Sequence, residues 1–271
     1  MNRSFNIREL QNEDWEVFQD RVADLEKGTS YPLGADRFDI DHGKDYFAFF
    51  TRLGQLHYYV ALNGDRVIAV AAAILRQISS AGSEKLETAW YLCDLKVHPE
   101  YRGQYIPFKM FVHAFPKLYP LCSRGYAVSM DAGIGCKNRV ALMLKRFSLA
   151  PMSIATKLGI VSLDCEMMRK VEPILREHLG FVSYLSLEGK KDIILQSTAS
   201  PMQLLHVQFG PCAQKGHPEP LDGYTHMFCA PIDHPLLEVL SYQAIYPSAT
   251  ATVIHHRMEK WDWRFILTSD I

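Results

Sequence analysis

Residues 86–115, LETAWYLCDLKVHPEYRGQYIPFKMFVHAF, constrain this chain more than any other stretch. Apolar and β-branched residues run up to Val97 and predict a strand largely buried on both faces. His98-Pro99 ends it, because proline has no N–H for a ladder and drives its predecessor into extended backbone. Glu100, Tyr101, Arg102 and Gly103 form a short turn. Pro107 suits a first helical turn, and Phe108, Phe111, Val112, Phe115 and Tyr119 then recur at helical spacing. The start of such a helix offers N–H groups without partners and the positive end of a dipole. Gly103 lets backbone approach a ligand closely, and Arg102 adds a charge that forks onto phosphate. The physical reading is a phosphate or pyrophosphate cradle, set against the plainer one of a structural corner with a solvent-facing arginine.

The 271 residues suffice for one large domain or two small ones, and 48% hydrophobic against 22% charged residues is the balance of a globular chain with a real core. Basic and acidic residues number 29 and 30, and no dense basic block occurs, which argues against nucleic-acid binding by electrostatics. The longest apolar run, 67–75, is too short to span a bilayer, and MNRSFNIREL lacks the apolar core of a signal peptide. Cys93, Cys122, Cys136, Cys165, Cys212 and Cys229 show no C-x-x-C pairing and read as reduced, mostly buried thiols of a cytoplasmic protein. No metal site is expected: His255 and His256 are neighbours, and neighbours on a strand face opposite ways.

In chain order, Phe5 to Arg8 alternates like an opening strand, and Asp14 caps a helix whose face is Trp15, Phe18, Val22 and Leu25. Residues 28–34 read as a loop around Pro32. Tyr46, Phe49, Phe50 and Leu53 mark a second helix, its aromatics more in keeping with core packing than with a pocket wall. Residues 57–62 and 66–76 make a hairpin about Asn63-Gly64-Asp65. Pro116 should end or kink the helix that follows the central strand. Residues 127–130 are a short strand, Gly133 and Gly135 a loose loop, and Asn138 caps a helix carrying Val140, Ala141, Leu144 and Phe147. Beyond 150 the pattern predicts a strand at 159–163, a helix through Met168, Val171, Leu175 and Leu179 disturbed by Pro173, and a helix over 235–244. Alternating or apolar runs occupy 181–187, 191–195, 202–209, 224–230 and 261–268.

The run Leu95-Lys96-Val97-His98-Pro99-Glu100-Tyr101-Arg102-Gly103-Gln104 resembles the acyl-CoA motif of the GNAT superfamily of N-acyltransferases, in which a Q/R-x-x-G-x-G/A turn wraps the CoA pyrophosphate. Gly103 matches the first glycine; Glu100 and Tyr105 depart from the pattern, Tyr105 standing where the family has Gly or Ala. Asn138, Ala141 and Leu144 match the family's second motif, N-x-x-A-x-x-L-Y, with Lys145 in place of the tyrosine that protonates the departing thiolate. The resemblance implies an α/β (α+β) fold: a GNAT-like mixed central sheet flanked by helices over 1–150, with an additional C-terminal α+β lobe over 151–271. No second copy of the turn motif occurs in that lobe. It also implies acetyl-CoA, or another acyl-CoA, as co-substrate, contacted by Leu95, Lys96, Val97, Arg102, Gly103, Gln104, Tyr105, Ile106, Pro107 and Asn138.

Amine acylation needs a polarised thioester carbonyl, a deprotonated amine and a proton for the thiolate. Candidate bases on or near the central strand are Glu87, Tyr91, Asp94 and Asp131, with Asp94 ranked first as the carboxylate nearest the strand end and a structural ion pair as its plainer alternative. Lys145 is the candidate proton donor, against an ordinary exposed lysine. Cys93 reads as a small buried hydrophobe rather than a nucleophile, and Gly133-Ile134-Gly135 as a flexible loop rather than a second phosphate turn. The expected activity is transfer of a short acyl group to a primary amine on a small molecule or peptide. The rival is a catalytically silent acyl-CoA-sensing or partner-binding protein. A homodimer is left open; nucleic-acid and membrane partners are not expected.

Overall fold

A computed structural model describes residues 5–79, 85–133, 136–211 and 213–271. Its strands and helices, in order, are β1 (Asn6–Leu10), α1 (Trp15–Glu26), β2 (Tyr31–Leu33), β3 (Asp36–Asp41), α2 (Ala48–Thr51), β4 (Gln55–Asn63), β5 (Arg66–Ser79), β6 (Leu86–Val97), α3 (Ile106–Leu118), β7 (Gly125–Met130) and α4 (Arg139–Leu144). There follow β8 (Ser153–Leu163), α5 (Cys165–Leu179), β9 (Val182–Leu185), β10 (Asp192–Leu195), β11 (Ser200–Pro201), β12 (Leu204–Phe209), β13 (Thr225–Pro231), α6 (Pro235–Ser241) and β14 (Ala249–His256). Ten strands form one mixed sheet in the order β1-β4-β5-β6-β7-β14-β8-β13-β12-β9, and β11-β10-β3-β2 form a small second sheet. No helix among the described residues is long and apolar enough to cross a membrane.

Local chemistry sets most of these elements. Gly64 takes φ 59°, so the Asn63-Gly64-Asp65 turn closes the β4–β5 hairpin. Strand β5 lies between β4 and β6, with α1 and α3 packed against it, which is why 67–75 is apolar on both sides. Helix α3 runs through Pro116 to Leu118, and the Tyr119 N–H still reaches the Phe115 carbonyl at 2.9 Å. The buried face of α3 differs from the expected one: Ile106, Met110, Ala114 and Leu118 pack inward, whereas Phe108 and Val112 are exposed. Alanines 61, 69 and 73 beneath the helix let it sit close to the sheet, so small and unbranched side chains suit that contact and the large aromatics are turned aside. Residues 28–34 also differ: 31–33 form β2. The apolar run at 261–268 is not a strand but two short 3-10 turns, Trp263–Phe265 and Thr268–Asp270, joined by apolar residues that pack on the sheet. Strand β14, which no periodicity marked, is central to the sheet.

The two halves of the chain interlock at the sheet's centre. Strand β8 follows α4 but pairs with β13, and β14 follows α6 but pairs with β7; β8 and β14 then pair antiparallel with each other. Read outward from that seam, β14-β7-β6-β5 and β8-β13-β12-β9 are equivalent rows, each containing one parallel pair. A boundary drawn at residue 150 therefore falls inside a continuous sheet. One core covers a single face across both halves, while α3, α4, α5 and α6 pack on separate apolar clusters.

Candidate active site

Strands β6 and β7 pair in parallel through Trp90↔Gly125, Tyr91↔Tyr126 and Leu92↔Ala127, and then diverge. On the other side of β6 the register to β5 jumps from Ala72↔Cys93 to Val70↔Lys96, so Asp94 and Leu95 together face Ala71. This is a β-bulge, with Asp94 in left-handed backbone at φ 52°. Asp94 and Leu95 thus have no register partner in β5 or β7. Their backbone groups and the facing edge of β7 border an opening through the sheet.

Side chains from distant parts of the chain fix the bulge. The buried Asp94 carboxylate accepts hydrogen bonds from Tyr58 at 2.5 Å and Tyr46 at 3.0 Å and pairs with the Lys96 ammonium. Lys96 also pairs with Glu26 at 2.9 Å, and Glu26 lies 3.1 Å from the Tyr46 hydroxyl and 3.5 Å from His42. Burial opposes ionisation of Glu26, but the His42 contact and the Lys96 charge outweigh it and hold its carboxyl at about 2. Burial and the neighbouring carboxylate raise both phenols well above their ordinary value, so Tyr46 and Tyr58 remain donors. A left-handed aspartate costs backbone energy, and this network over-determines the position.

The opening leads to a cavity of about 610 Å³ that touches both faces of the sheet. Trp90, Met110 and Phe111 border it on the α3 side. On the other side it meets Phe49 and Phe50 of α2 and is roofed by Tyr31, Phe38, Ile40 and Ile193 of the small sheet. Because β3 pairs with β10, that roof is made by both halves of the chain. Lys191, one residue before β10, is 8% exposed, borders the cavity and lies 4.5 Å from the Phe49 ring. Burial, followed by the charge of Arg52, lowers its pKa to about 8. Next to it, burial and the Lys191 charge push His206 down to about 3, leaving a neutral ring 3.0 Å from Thr268.

The structure brings only some of the expected residues together. Tyr91, Asp94, Leu95, Lys96, Val97, Arg102 and Pro107 border the cavity; Gly103, Gln104, Tyr105, Ile106, Asn138 and Lys145 do not. Tyr91 is buried and stacks on Tyr126 with ring centroids 5.0 Å apart, and burial raises its phenol well above the ordinary value. After the Pro99–Tyr101 turn, Arg102 donates from Nε to the Val97 carbonyl at 3.3 Å. Gly103 at φ 80° and Tyr105 at φ 57° shape the corner before α3, with Tyr105 77% exposed. Ile106 packs into the core below α3. Asn138 caps α4 by accepting the Ala141 N–H at 2.9 Å and donates to Ser129, Met130 and Asp131. Lys145 is exposed at the far end of that six-residue helix.

The other candidates have structural partners. Glu87 pairs with Arg124 at 2.6 Å. Asp131 binds Thr250, Thr252, Asn138 and Lys157; these contacts overcome burial and lower its pKa. Burial and the Asp94 charge raise the Cys93 thiol far above its ordinary value. Cys93, Cys122, Cys136, Cys165 and Cys229 are free thiols, whereas Cys212, Ile134 and Gly135 lie outside the described residues. His255 accepts the Met258 N–H at 3.2 Å, and His256 contacts the Pro151 carbonyl at 2.8 Å. The sequence reading missed Lys191, His206, Glu26 and His42. Lys191 sits in Lys190-Lys191-Asp192, indistinguishable in sequence from a solvated charge run.

No protein-family model matches the chain. An uncharacterized protein of Acanthamoeba polyphaga mimivirus is 25% identical over 233 residues, covering 84% of this chain and 68% of the relative. A tandem GNAT protein from the clavulanic acid biosynthesis pathway superposes with a TM-score of 0.52 at 11% identity, over 93% of this chain and 98% of that one. Glucosamine-6-phosphate N-acetyltransferase from Arabidopsis thaliana matches more locally, with a TM-score of 0.35 at 14% identity over 56% of this chain and 95% of that one. The superposition on the tandem GNAT protein, over nearly the whole of both chains, shows that this chain has the GNAT fold.

Proposed function

We propose that the protein is an acyl-CoA-dependent N-acyltransferase that moves an acetyl or other short acyl group to a primary amine. The observation that carries this reading is the opening between β6 and β7, which runs through the sheet into a cavity touching both faces. Acyl-CoA approaches from the α3 side and the amine from the side roofed by the small sheet. Unpaired backbone groups along the diverging edges suit the amides of a pantetheine arm, since buried N–H and C=O groups need partners. The turn through Arg102 and Gly103 offers the pyrophosphate a charge and a helix start.

In the transfer, the amine nitrogen attacks the thioester carbon, the C–N bond forms, the C–S bond breaks and the amine proton passes to solvent. The carbonyl oxygen gains negative charge, and the strand amides at the bulge are the donors placed to meet it. We assign Asp94 to holding that bulge, because its carboxylate is engaged by Lys96, Tyr46 and Tyr58. Its effect on the reaction is then one of position. Lys145 lies away from the cavity, so solvent protonates the thiolate, a leaving group that departs far more readily than an amine.

The same exposure of Lys145 favours the second reading, an acyl-CoA sensor without turnover. Calorimetry with acetyl-CoA and CoA, combined with thiol release across amines, amino acids and peptide N-termini, separates the two. Binding with release supports the enzyme; binding without release for any acceptor assigns the sensor. Absence of binding at millimolar acetyl-CoA sinks both. Arg102→Ala should weaken binding by about 1–3 kcal/mol, as expected for a charge-assisted contact.

A further inference from the structure

We propose that the amine acceptor carries a carboxylate, and that Lys191 receives it inside the cavity. This deepens the acyltransferase reading and rests on it for the identity of the acceptor as an amine. Lys190 and Lys191 are set by one tight turn, both N–H groups bonding the Leu187 carbonyl at 2.9 Å. The turn leaves Lys190 exposed and directs Lys191 inward, where it is 8% exposed and borders the cavity. Among the described residues, no hydrogen bond or ion pair holds its ammonium; the Phe49 ring at 4.5 Å is its charge-complementary neighbour.

Other cations buried near this chamber have a carboxylate. Lys96 has Asp94 and Glu26, Arg76 has Asp270 at 3.0 Å, and Arg52 lies 3.8 Å from Asp270 and donates to the Ser269 carbonyl. The groups that act on Lys191 are Arg52, Glu26, Cys93 and Lys96, with the neutral His206 beside it. Glu26, the one carboxylate among them, is already held by Lys96 and His42. A buried charge without a counter-charge is expensive, and a ligand anion removes that cost. The single charge of the Lys191 ammonium matches a monoanionic carboxylate better than a phosphate dianion. Tyr31, Phe38, Phe49 and Phe50 border the same cavity and offer an apolar wall for the body of the acceptor. An amine, a carboxylate and an apolar body together describe an amino acid or a close analogue.

The direct probe is calorimetric binding of a panel of N-acetyl amino acids with aliphatic and aromatic side chains, each against its decarboxylated N-acetyl amine. The carboxylates should bind at least tenfold more tightly to the unmodified protein, and Lys191→Met should erase most of that difference while acetyl-CoA affinity holds. Equal affinity for both members of every pair, discrimination retained in Lys191→Met, or no carboxylate binding at millimolar concentration overturns the inference. The arm with unmodified protein decides the matter even if the variant does not fold. Thiol release with the free amino acids is the separate test of turnover: lysine-dependent carboxylate binding without release leaves the site standing and removes the acyltransferase reading.

Discussion

The sheet contains two parallel strand pairs, β6/β7 and β12/β13, and each stays in register for three residues before diverging. They end differently. Between β6 and β7 the chain makes the Arg102–Gly103 turn and the 13-residue helix α3, and the divergence opens onto the cavity. Between β12 and β13 no helix occurs among the described residues. Residues 266–270 lie across that second divergence instead: Thr268 donates to the Met227 carbonyl, Gln208 to the Ser269 hydroxyl, and Cys229 to the Ile266 carbonyl. Ile266 joins the core on one face of the sheet, whereas Leu267 belongs to the cluster beneath α5 and α6 on the other. The tail thus plugs in one half the place that is open in the other. A diverging parallel pair is only a potential site; what the connection and the tail supply decides whether it is used.

The largest test of this contrast is Asp270→Ala. It strips the buried Arg76 guanidinium of its carboxylate and releases the tail's anchor, at a cost of about 3–5 kcal/mol. Chemical denaturation should show that loss, with new proteolysis near residue 266. Next is Leu267→Ala, which should cost about 2–5 kcal/mol and open a void between β12 and β13, visible as xenon binding in a crystal. If the variant neither destabilises nor opens a void, the plug is only a surface strap.

A third test concerns Lys191, which the C-terminal half contributes to the shared cavity. Lys191 titrates at about 8 in the folded protein and near 10.5 unfolded. Below about pH 8 both states are protonated and the desolvation penalty is full; it is relieved as pH rises from about 8 to 10.5, so stability rises across that window relative to a variant without the group. The difference between the native protein and Lys191→Met should therefore change by at most about 3 kcal/mol there, measured by urea unfolding. A flat difference would mean that the ammonium is already compensated. The smallest effect belongs to Tyr105→Asn, which relieves left-handed strain at an exposed position and should stabilise by up to about 1 kcal/mol. If acetyl-CoA affinity changes as well, the corner meets the ligand.

What the sequence disclosed follows from the range of the forces involved. The strand end at Val97, the proline stop, the Asn63-Gly64 turn and the Asn138 cap are written in adjacent residues and could be read there. The face of α3 was not, because hydrophobic size and burial part company where alanines draw a helix close. Asp94 stood out by its place near the strand end, but its left-handed backbone and its tyrosine partners, 36 and 48 residues away, leave no local trace. Strand β14 and the plug at Leu267 depend on pairing across still longer distances.

The exchange of β8 and β14 across the seam also sets an order of events during synthesis. Strand β7 must wait for residues 249–256, more than a hundred positions later, before its second edge is covered. Until then an N-terminal half that has collapsed around β4, β5 and β6 presents an open strand edge, a template for pairing with other nascent chains. Such non-local closure makes for slow final folding, and it offers a route by which two chains could trade their last strands with each other.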